Sequence, residues 1–326
     1  WTYAIEVRGI SDERQYLRMS RVGQSQSLDR LQRKRVWEAF EAFQSNMKAR
    51  GLQVWSSVVR EATKNSVSQG PKYAAVLVDE SQDFTAPAWR LIRSLAKPGK
   101  NDLFLVGDAN QRIYGSPIRL SECGIDVGDR RHVLRVNYRT TEEIRDWAFT
   151  RFSNIDSARL AGEAEAEIDM HERSLLSGPE PELVLLASRE EELEYYRQLI
   201  PELLKQFLAE EVVICARASY ILRDFKKLLH DMEQPYVVLE KIRDESNDGI
   251  RLATIHRIKG LEFRCVLVAS VNAGIIPCKF DGREDDSLSQ LQHQSRERAL
   301  LYVATTRARD RVVISTSGKA SSLLAD

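Results

Sequence analysis

The fold is decided by a stretch in the first third of the chain, residues 73–83, which reads YAAVLVDESQD. Its apolar run is short and almost unbroken, and it ends in acids. Such a run predicts a strand buried on both faces of a parallel sheet, with polar residues at its carboxyl end. Because α/β sheets bind ligands at that end, the acids are candidates for a ligand site.

The segments around this stretch extend the pattern. Downstream, apolar runs such as LFLV at 103–106, VVIC at 212–215 and CVLVAS at 265–270 alternate with amphipathic, helix-like segments. This alternation predicts an α/β fold with parallel sheets. Upstream, apolar side chains recur at threes and fours over residues 28–50, which predicts a long amphipathic helix.

The pattern also predicts a division into domains. We expect residues 1–70 to form a helical segment packed on a first domain, and residues 71–130 to be the remainder of that domain. Residues 131–326 are expected to form the second domain. The boundary near residue 130 rests on GSPIRLSECGIDVGDRR at 115–131, which has glycines, a proline and charges but no clear periodicity.

Composition sets limits without indicating a function. The 326 residues include 48 basic and 48 acidic ones, so the zero net charge neither favours nor excludes nucleic acid binding. No apolar stretch is long enough to cross a bilayer, and the first residues do not read as a signal peptide. The four cysteines lack metal-ligand spacing. We therefore expect a cytoplasmic protein with reduced thiols and no membrane contact.

The acids at 79–80 have a chemistry of their own. Asp79 and Glu80 are expected on opposite sides of the strand end, so one can hold Mg²⁺, usually through water, while the other activates an attacking water. The next apolar run leads into GDANQ at 107–111. There Asp108 can reach the metal region, and Gln111 offers an uncharged amide to a triphosphate. Taken alone, both loops are also typical of ordinary solvated turns.

Five segments, in order, resemble the motifs of the UvrD/Rep-like superfamily 1 DNA helicases, over about residues 73–315. They are DESQD at 79–83 (motif II), GDANQRIY at 107–114 (III), VLRVNYRTTEEI at 133–144 (IV), LATIHRIKGLEF at 252–263 (V) and RERALLYVATTRA at 296–308 (VI). The resemblance implies two RecA-like domains of the P-loop NTPase helicase core, the first incomplete. It further implies an ATP-driven helicase or translocase moving 3′ to 5′ on single-stranded DNA or on DNA with a single-stranded tail.

The resemblance implies ATP and Mg²⁺ as cofactors and gives each matching residue a role. Asp79 would coordinate Mg²⁺, and Glu80, at the same metal region, would polarise the hydrolytic water. Gln111 would contact the γ-phosphate and couple its state to the DNA groove. The second domain would supply Tyr138 stacked on the adenine, Arg139 on the γ-phosphate, Glu262 on the ribose and Arg307 as an arginine finger across the domain cleft. A planar guanidinium suits the charge that spreads over γ-oxygens during phosphoryl transfer.

The resemblance also implies where DNA would bind. Thr254 and His256 would lie near the single strand, with Lys259 close to the same face, and Tyr114 is a candidate stacking platform. The residues after Tyr114 depart from the family, which often places a tryptophan flanked by arginines where this chain has GSPIRL. The interval between motifs IV and V is filled by α/β elements. We therefore expect the large accessory domain of the bigger helicases to be absent or minimal.

One family element is missing from the sequence. No segment matches the phosphate-binding loop G-x-x-x-x-G-K-[ST], which the family places upstream of motif II. The glycine–lysine pairs at 99–100 and 318–319 are followed by asparagine and alanine. Three explanations stay open: a fragment, which a first residue other than methionine favours; a degenerate relative without turnover; or a loop supplied by a partner protein. We expect this chain alone to hydrolyse ATP negligibly.

Two other functions compete with the motor. A catalytically degenerate module could use the helicase fold to bind DNA or a protein, but it has no physical need for the retained carboxylates and arginines. An unrelated α/β nucleotide-binding enzyme would require five ordered motifs by accident. The motifs themselves are shared by motors of DNA repair, replication, recombination and phage defence, so they do not select a pathway.

Overall fold

The computed structural model describes residues 5, 9–10, 12–19, 28–114, 118–153, 173–239, 248–280 and 287–324. The helices within these ranges are α1 Glu13–Arg18, α2 Arg30–Ala49, α3 Trp55–Gln69, α4 Ala86–Leu95, α5 Glu142–Phe152, α6 Arg189–Leu203, α7 Ser219–Asp231 and α8 Ser287–Thr306. The strands are β1 Val76–Val78, β2 Leu103–Leu105, β3 Val136–Thr141, β4 Arg173–Leu176, β5 Glu182–Val184, β6 Val212–Ala216, β7 Tyr236–Val238, β8 Ile250–Thr254, β9 Phe263–Ala269 and β10 Ala308–Ser315.

The chain divides into two compact units. Unit 1 holds the described residues up to His132 together with residues 287–292. Unit 2 holds the described residues from Val133 to Phe280 and from His293 onwards. Every strand pair in the named sheets is parallel, so the predicted α/β fold with parallel sheets is confirmed.

Unit 1 begins with the helices that the amphipathic pattern predicts. A reciprocal capping box starts α2, because the Asp29 carboxylate accepts from the Gln32 backbone N–H and the Gln32 side chain accepts from the Asp29 N–H. The helix buries Trp37 and Phe40 against Tyr16. It ends before Gly51, whose φ of +67° is the left-handed conformation that glycine adopts at low cost.

The sheet of unit 1 departs from the prediction of a strand buried on both faces. Val78 is buried in the cluster that contains Trp89 of α4, whereas Leu77 is 75% exposed and Phe104 of β2 is 62% exposed. That prediction was therefore wrong. The physical reason is that β1 and β2 pair only with each other among the described strands, and α4 packs on one face only.

Unit 2 is built on a six-stranded sheet in the order β5-β10-β9-β6-β8-β7. Its central strands β6 and β9 are buried along almost their whole length, with Ile214 and Leu267 fully inaccessible. Helices α6 and α7 contribute Tyr196 and Phe225 to the same core. A separate parallel pair, β3 and β4, carries the segment that resembles motif IV.

The described helices and the cysteines bear on two further expectations, the absence of a membrane span and the presence of reduced thiols. None of the described helices combines the length and the low polarity that a membrane span requires. The four cysteines are free thiols; Cys123, Cys215 and Cys265 are buried, and Cys278 is partly exposed.

Candidate functional site

The acidic loops of unit 1 lie side by side at one edge of its sheet. Strands β1 and β2 are parallel and in register from Val76 opposite Leu103 to Val78 opposite Leu105. The loops DESQD at 79–83 and GDANQ at 107–111 therefore leave the sheet at the same carboxyl edge. This is the edge at which α/β sheets bind ligands.

Gln82 joins the two loops. Its amide Nε2 donates to Glu80 Oε2 at 2.5 Å, and its Oε1 accepts from the Asp108 backbone N–H at 3.1 Å. Asp108 in turn accepts from the Gln111 side-chain amide at 3.0 Å. A Cβ on Gly107 would collide with the Ser81 hydroxyl and with the Gln82 amide oxygen, so a side chain at this position would push the Gln82 amide out of its present place. The structure thus brings Glu80 and Gln111 into one hydrogen-bonded network.

The two adjacent acids have different local geometries. Glu80 has φ +50° and ψ +39°, a left-handed conformation that costs a non-glycine residue on the order of 1–3 kcal/mol. Asp79 is exposed, and its Oδ1 accepts from the Glu80 backbone N–H at 2.8 Å. An exposed carboxylate is accessible to a hydrated ion, and Mg²⁺ prefers oxygen ligands while keeping several waters. The residues present therefore fit a water-coordinated Mg²⁺ held through Asp79.

Three predicted nucleotide residues lie near the amino edge of the sheet in unit 2. Arg139 Nε is 2.5 Å from Glu262 Oε1, which joins the motif IV strand to the residue just before β9. The Phe263 backbone N–H donates to the Arg307 carbonyl at 3.0 Å, so Arg307 lies alongside the start of β9. The neighbouring Tyr138 ring is exposed and accessible to a stacking partner.

The two arginines of this group differ in accessibility. Arg139 and Glu262 side chains are 45% and 56% exposed, so their ion pair contributes only about 0–1 kcal/mol and a ligand can separate them at low cost. Arg307 is 2% exposed. A finger residue must reach a phosphate oxygen, so the role implied for Arg307 stays a prediction.

The residues predicted to bind DNA in unit 2 lie at the opposite, carboxyl edge. Thr254 is the last residue of β8, and His256 follows in a short 3-10 turn. Burial lowers the pKa of His256, and the positive charge of Arg217 lowers it further. Lys259 is half-buried a few residues along the same loop. The remaining candidate, Tyr114, is half exposed and belongs to unit 1.

Sequence reasoning missed an ion pair beside these residues. Arg217 directly follows β6, whose last residue, Ala216, is paired with Thr254. Its Nη2 lies 2.9 Å from Glu297 Oε1 and its Nε lies 3.1 Å from Glu297 Oε2, a two-pronged contact with α8. Glu297 is inside the motif VI segment, but its partner is 80 residues away in sequence. Only the sheet order brings them together.

Comparison with known families identifies the class of protein. The family model described as UvrD/REP helicase N-terminal domain matches residues 10–116, and the model described as UvrD-like helicase C-terminal domain matches residues 240–319. Together these stretches make up more than half of the chain. The chain belongs to the UvrD/Rep-like family of DNA helicases.

Individual relatives carry related names. A protein of Mycoplasma pneumoniae named "Probable DNA helicase" is 26% identical over 295 residues, covering 85% of this chain and 51% of the relative. An ATP-dependent helicase/nuclease protein of Lactobacillus johnsonii is 32% identical over 99 residues, covering 28% of this chain and 8% of the relative. The matches thus span about half of the Mycoplasma protein and less than a tenth of the Lactobacillus one.

A solved structure is also similar. It is the C-terminal domain of a protein described as a possible DNA helicase from Lactobacillus plantarum WCFS1. The TM-score is 0.41 at 19% sequence identity, and the match covers 58% of this chain and 92% of that domain.

Proposed function

We propose that this chain carries the hydrolytic carboxylates and the second RecA-like domain of an ATP-driven motor that moves 3′ to 5′ on single-stranded DNA. The observation that supports this most strongly is the network at the carboxyl edge of β1 and β2. Gln82 holds Glu80 and the GDANQ loop together through two hydrogen bonds. An ordinary solvated turn has no need of a buried amide that connects two loops in this way.

The proposed chemistry divides between the neighbouring acids. Bound Mg²⁺ would supply positive charge to the phosphate oxygens. Asp79 would hold that ion through water, and Glu80 would take a proton from the attacking water. The hydrogen bond from Gln82 fixes one Glu80 oxygen and thereby orients the carboxylate. Gln111, held by Asp108, would be poised to sense the γ-phosphate.

Unit 2 supports a link between nucleotide and DNA. The eight residues 255–262 run from the carboxyl end of β8 back to the amino end of β9. Strands β8 and β9 are parallel, with β6 between them. The segment must therefore run back along the full length of the strands and pass over β6. His256 and Lys259 belong to this segment, and Glu262 ends it. A displacement at Glu262 would therefore be transmitted along one short, covalently continuous connection to the DNA-contacting residues.

The missing phosphate loop limits what the chain does alone. Backbone amides, a lysine and a hydroxyl that cradle the phosphates would have to come from a segment outside this sequence. We expect the purified 326-residue chain to show no Mg²⁺-dependent, DNA-stimulated ATP hydrolysis above background. Robust turnover would contradict this expectation, and a coupled spectrophotometric assay with oligo-dT decides it.

Binding to single-stranded DNA tests the other half of the proposal. In fluorescence anisotropy with labelled oligo-dT, Lys259→Ala is expected to weaken binding. The slope of the logarithm of the binding constant against the logarithm of the salt concentration should fall in magnitude by about one. Lys205→Ala is a matched control, because Lys205 is an exposed lysine that pairs with Glu202 and lies outside all five sequence motifs. Equal losses in both variants, or no binding by the unmodified chain, would count against this DNA site.

A degenerate binding module remains the second candidate, and the burial of Arg307 favours it. The gene upstream of the Trp1 codon discriminates between the two. An in-frame strand–GxxxxGK[ST]–helix unit would support the motor. A gene without one would support the module.

A further inference from the structure

A cluster of three side chains that could bind a metal lies in unit 2, and none of the three is among the residues assigned above to the nucleotide or to DNA. Cys278 is in the loop after β9, while His293 and Glu297 lie four residues apart on α8 and therefore share a helix face. The Cys278 Sγ, a ring nitrogen of His293 and a Glu297 carboxylate oxygen all lie within 4.8 Å of one another. The Cys278 sulfur is 3.7 Å from Glu297 Oε1.

Hydrogen bonds around the cluster orient its ligands. His293 Nε2 lies 2.7 Å from the Cys278 carbonyl oxygen. A carbonyl oxygen only accepts, so Nε2 is the donor in this contact, which leaves Nδ1 as the ring nitrogen whose lone pair can bind a metal. Donation of the second ring N–H to a backbone carbonyl is the usual way in which a metal-binding histidine is held. The Cys278 backbone N–H also donates to Glu297 Oε2 at 3.2 Å, which ties the loop to α8.

A cation already lies against two of these ligands. The Arg217 guanidinium contacts both Glu297 oxygens, and its Nη2 is 3.6 Å from the Cys278 sulfur. The cluster thus already contacts one positive charge, which the protein itself supplies. A metal ion that bound Glu297 would have to displace this guanidinium.

We propose that Cys278, His293 and Glu297 form a binding site for Zn²⁺, in competition with the Arg217 guanidinium. A thiolate and an imidazole select zinc-like ions over Mg²⁺, which prefers oxygen ligands only. Three protein ligands leave a fourth tetrahedral position open for water. Binding releases the Cys278 thiol proton to solvent, because the thiolate is the ligand.

Cobalt substitution tests the site directly. Co²⁺ added to the full chain, reduced and stripped of metal, is expected to produce visible d–d bands of tetrahedral intensity and a near-ultraviolet thiolate-to-cobalt band. Added Zn²⁺ should abolish both, and excess Mg²⁺ should leave them unchanged. Cys278→Ser should remove the thiolate band, whereas Cys123→Ser, which alters a buried cysteine of unit 1, should retain it.

The competing arginine gives a second, more discriminating readout. Arg217→Gln is expected to tighten Co²⁺ binding about tenfold or more, because the metal no longer displaces charged hydrogen bonds. A purely structural role for Arg217 would weaken binding instead. His293→Ala should weaken it, and that arm keeps the test decisive even if Arg217→Gln misfolds. Absence of tetrahedral bands, or a thiolate band that survives Cys278→Ser, would overturn the proposal.

Discussion

The two sheets of the molecule differ in how completely they are covered. In unit 2, Leu267 at the centre of β9 is fully buried, as parallel strands normally are. In unit 1, Leu77 at the centre of β1 is 75% exposed. The candidate hydrolytic residues therefore lie on the sheet with the smaller apolar core. The central strands of the six-stranded sheet are instead buried in a large apolar core of their own. The proposed hydrolytic carboxylates therefore lie in unit 1, whereas the larger apolar core lies in unit 2.

The largest expected effect is a difference in unfolding free energy between the removal of a buried carboxylate and the removal of an exposed one. Glu192 of α6 is fully buried, pairs with Arg189, and accepts hydrogen bonds from the Ser270 backbone and from the Ser315 hydroxyl. Glu192→Ala leaves these groups unpaired, and we expect unit 2 to lose about 3–5 kcal/mol of unfolding free energy. Asp79→Ala removes an exposed carboxylate and should change stability by less than about 0.5 kcal/mol. Urea unfolding measures both, and equal losses would contradict the comparison.

The same leucine-to-alanine substitution in each sheet compares the two apolar cores. Leu267→Ala opens a cavity in a closed core and should cost about 2–5 kcal/mol. Leu77→Ala should stay within about 0.5 kcal/mol, because its side chain is already solvated. Hydrogen exchange followed by mass spectrometry assigns each change to its own unit. A large loss from Leu77→Ala would show that the exposed face is covered in solution.

A smaller effect is expected from the amide that joins the acidic loops. Gln82→Ala leaves the Asp108 backbone N–H without its side-chain acceptor and should destabilise the two loops by about 1–3 kcal/mol. Amide exchange should accelerate in residues 79–83 and 107–111 and stay unchanged in unit 2. Gln198→Ala, which removes an exposed glutamine from α6, serves as the control. Unchanged exchange in both loops would remove Gln82 from its bridging role.

The smallest effect concerns pH. A hydrogen bond from Arg93 holds the pKa of Asp102 below its ordinary value. The folded pKa is the lower one, so this stabilisation of unit 1 is complete above about pH 4 and is lost as the pH falls through the lowered value. Arg93→Gln should remove that part of the acid dependence. Identical acid unfolding curves of unit 1 in the unmodified chain and in the Arg93→Gln variant would contradict this role of the Arg93–Asp102 pair.

The sequence predicted the elements better than their surroundings. Alternating apolar runs predicted the parallel α/β fold, and the spacing of apolar side chains predicted the amphipathic helix α2. The exposure of Leu77 did not follow, because an apolar run does not reveal whether a second layer covers the strand. The Glu80–Gln82–Asp108 network required the β1–β2 register. Two other features join segments that are distant in the sequence, and residue spacing cannot indicate them. They are the Arg217–Glu297 ion pair and the Cys278–His293–Glu297 cluster.

The most direct test of the proposed motor uses a polypeptide that joins this chain to a phosphate-binding loop. Glu80→Gln keeps the shape of the side chain but removes the base, and a positioned base contributes roughly 10²–10⁴-fold to proton transfer. We predict that DNA-stimulated ATP turnover falls by about that factor while ATP and single-stranded DNA binding are retained. Turnover that is unchanged by Glu80→Gln would contradict the proposal that the carboxylates of unit 1 perform the hydrolysis.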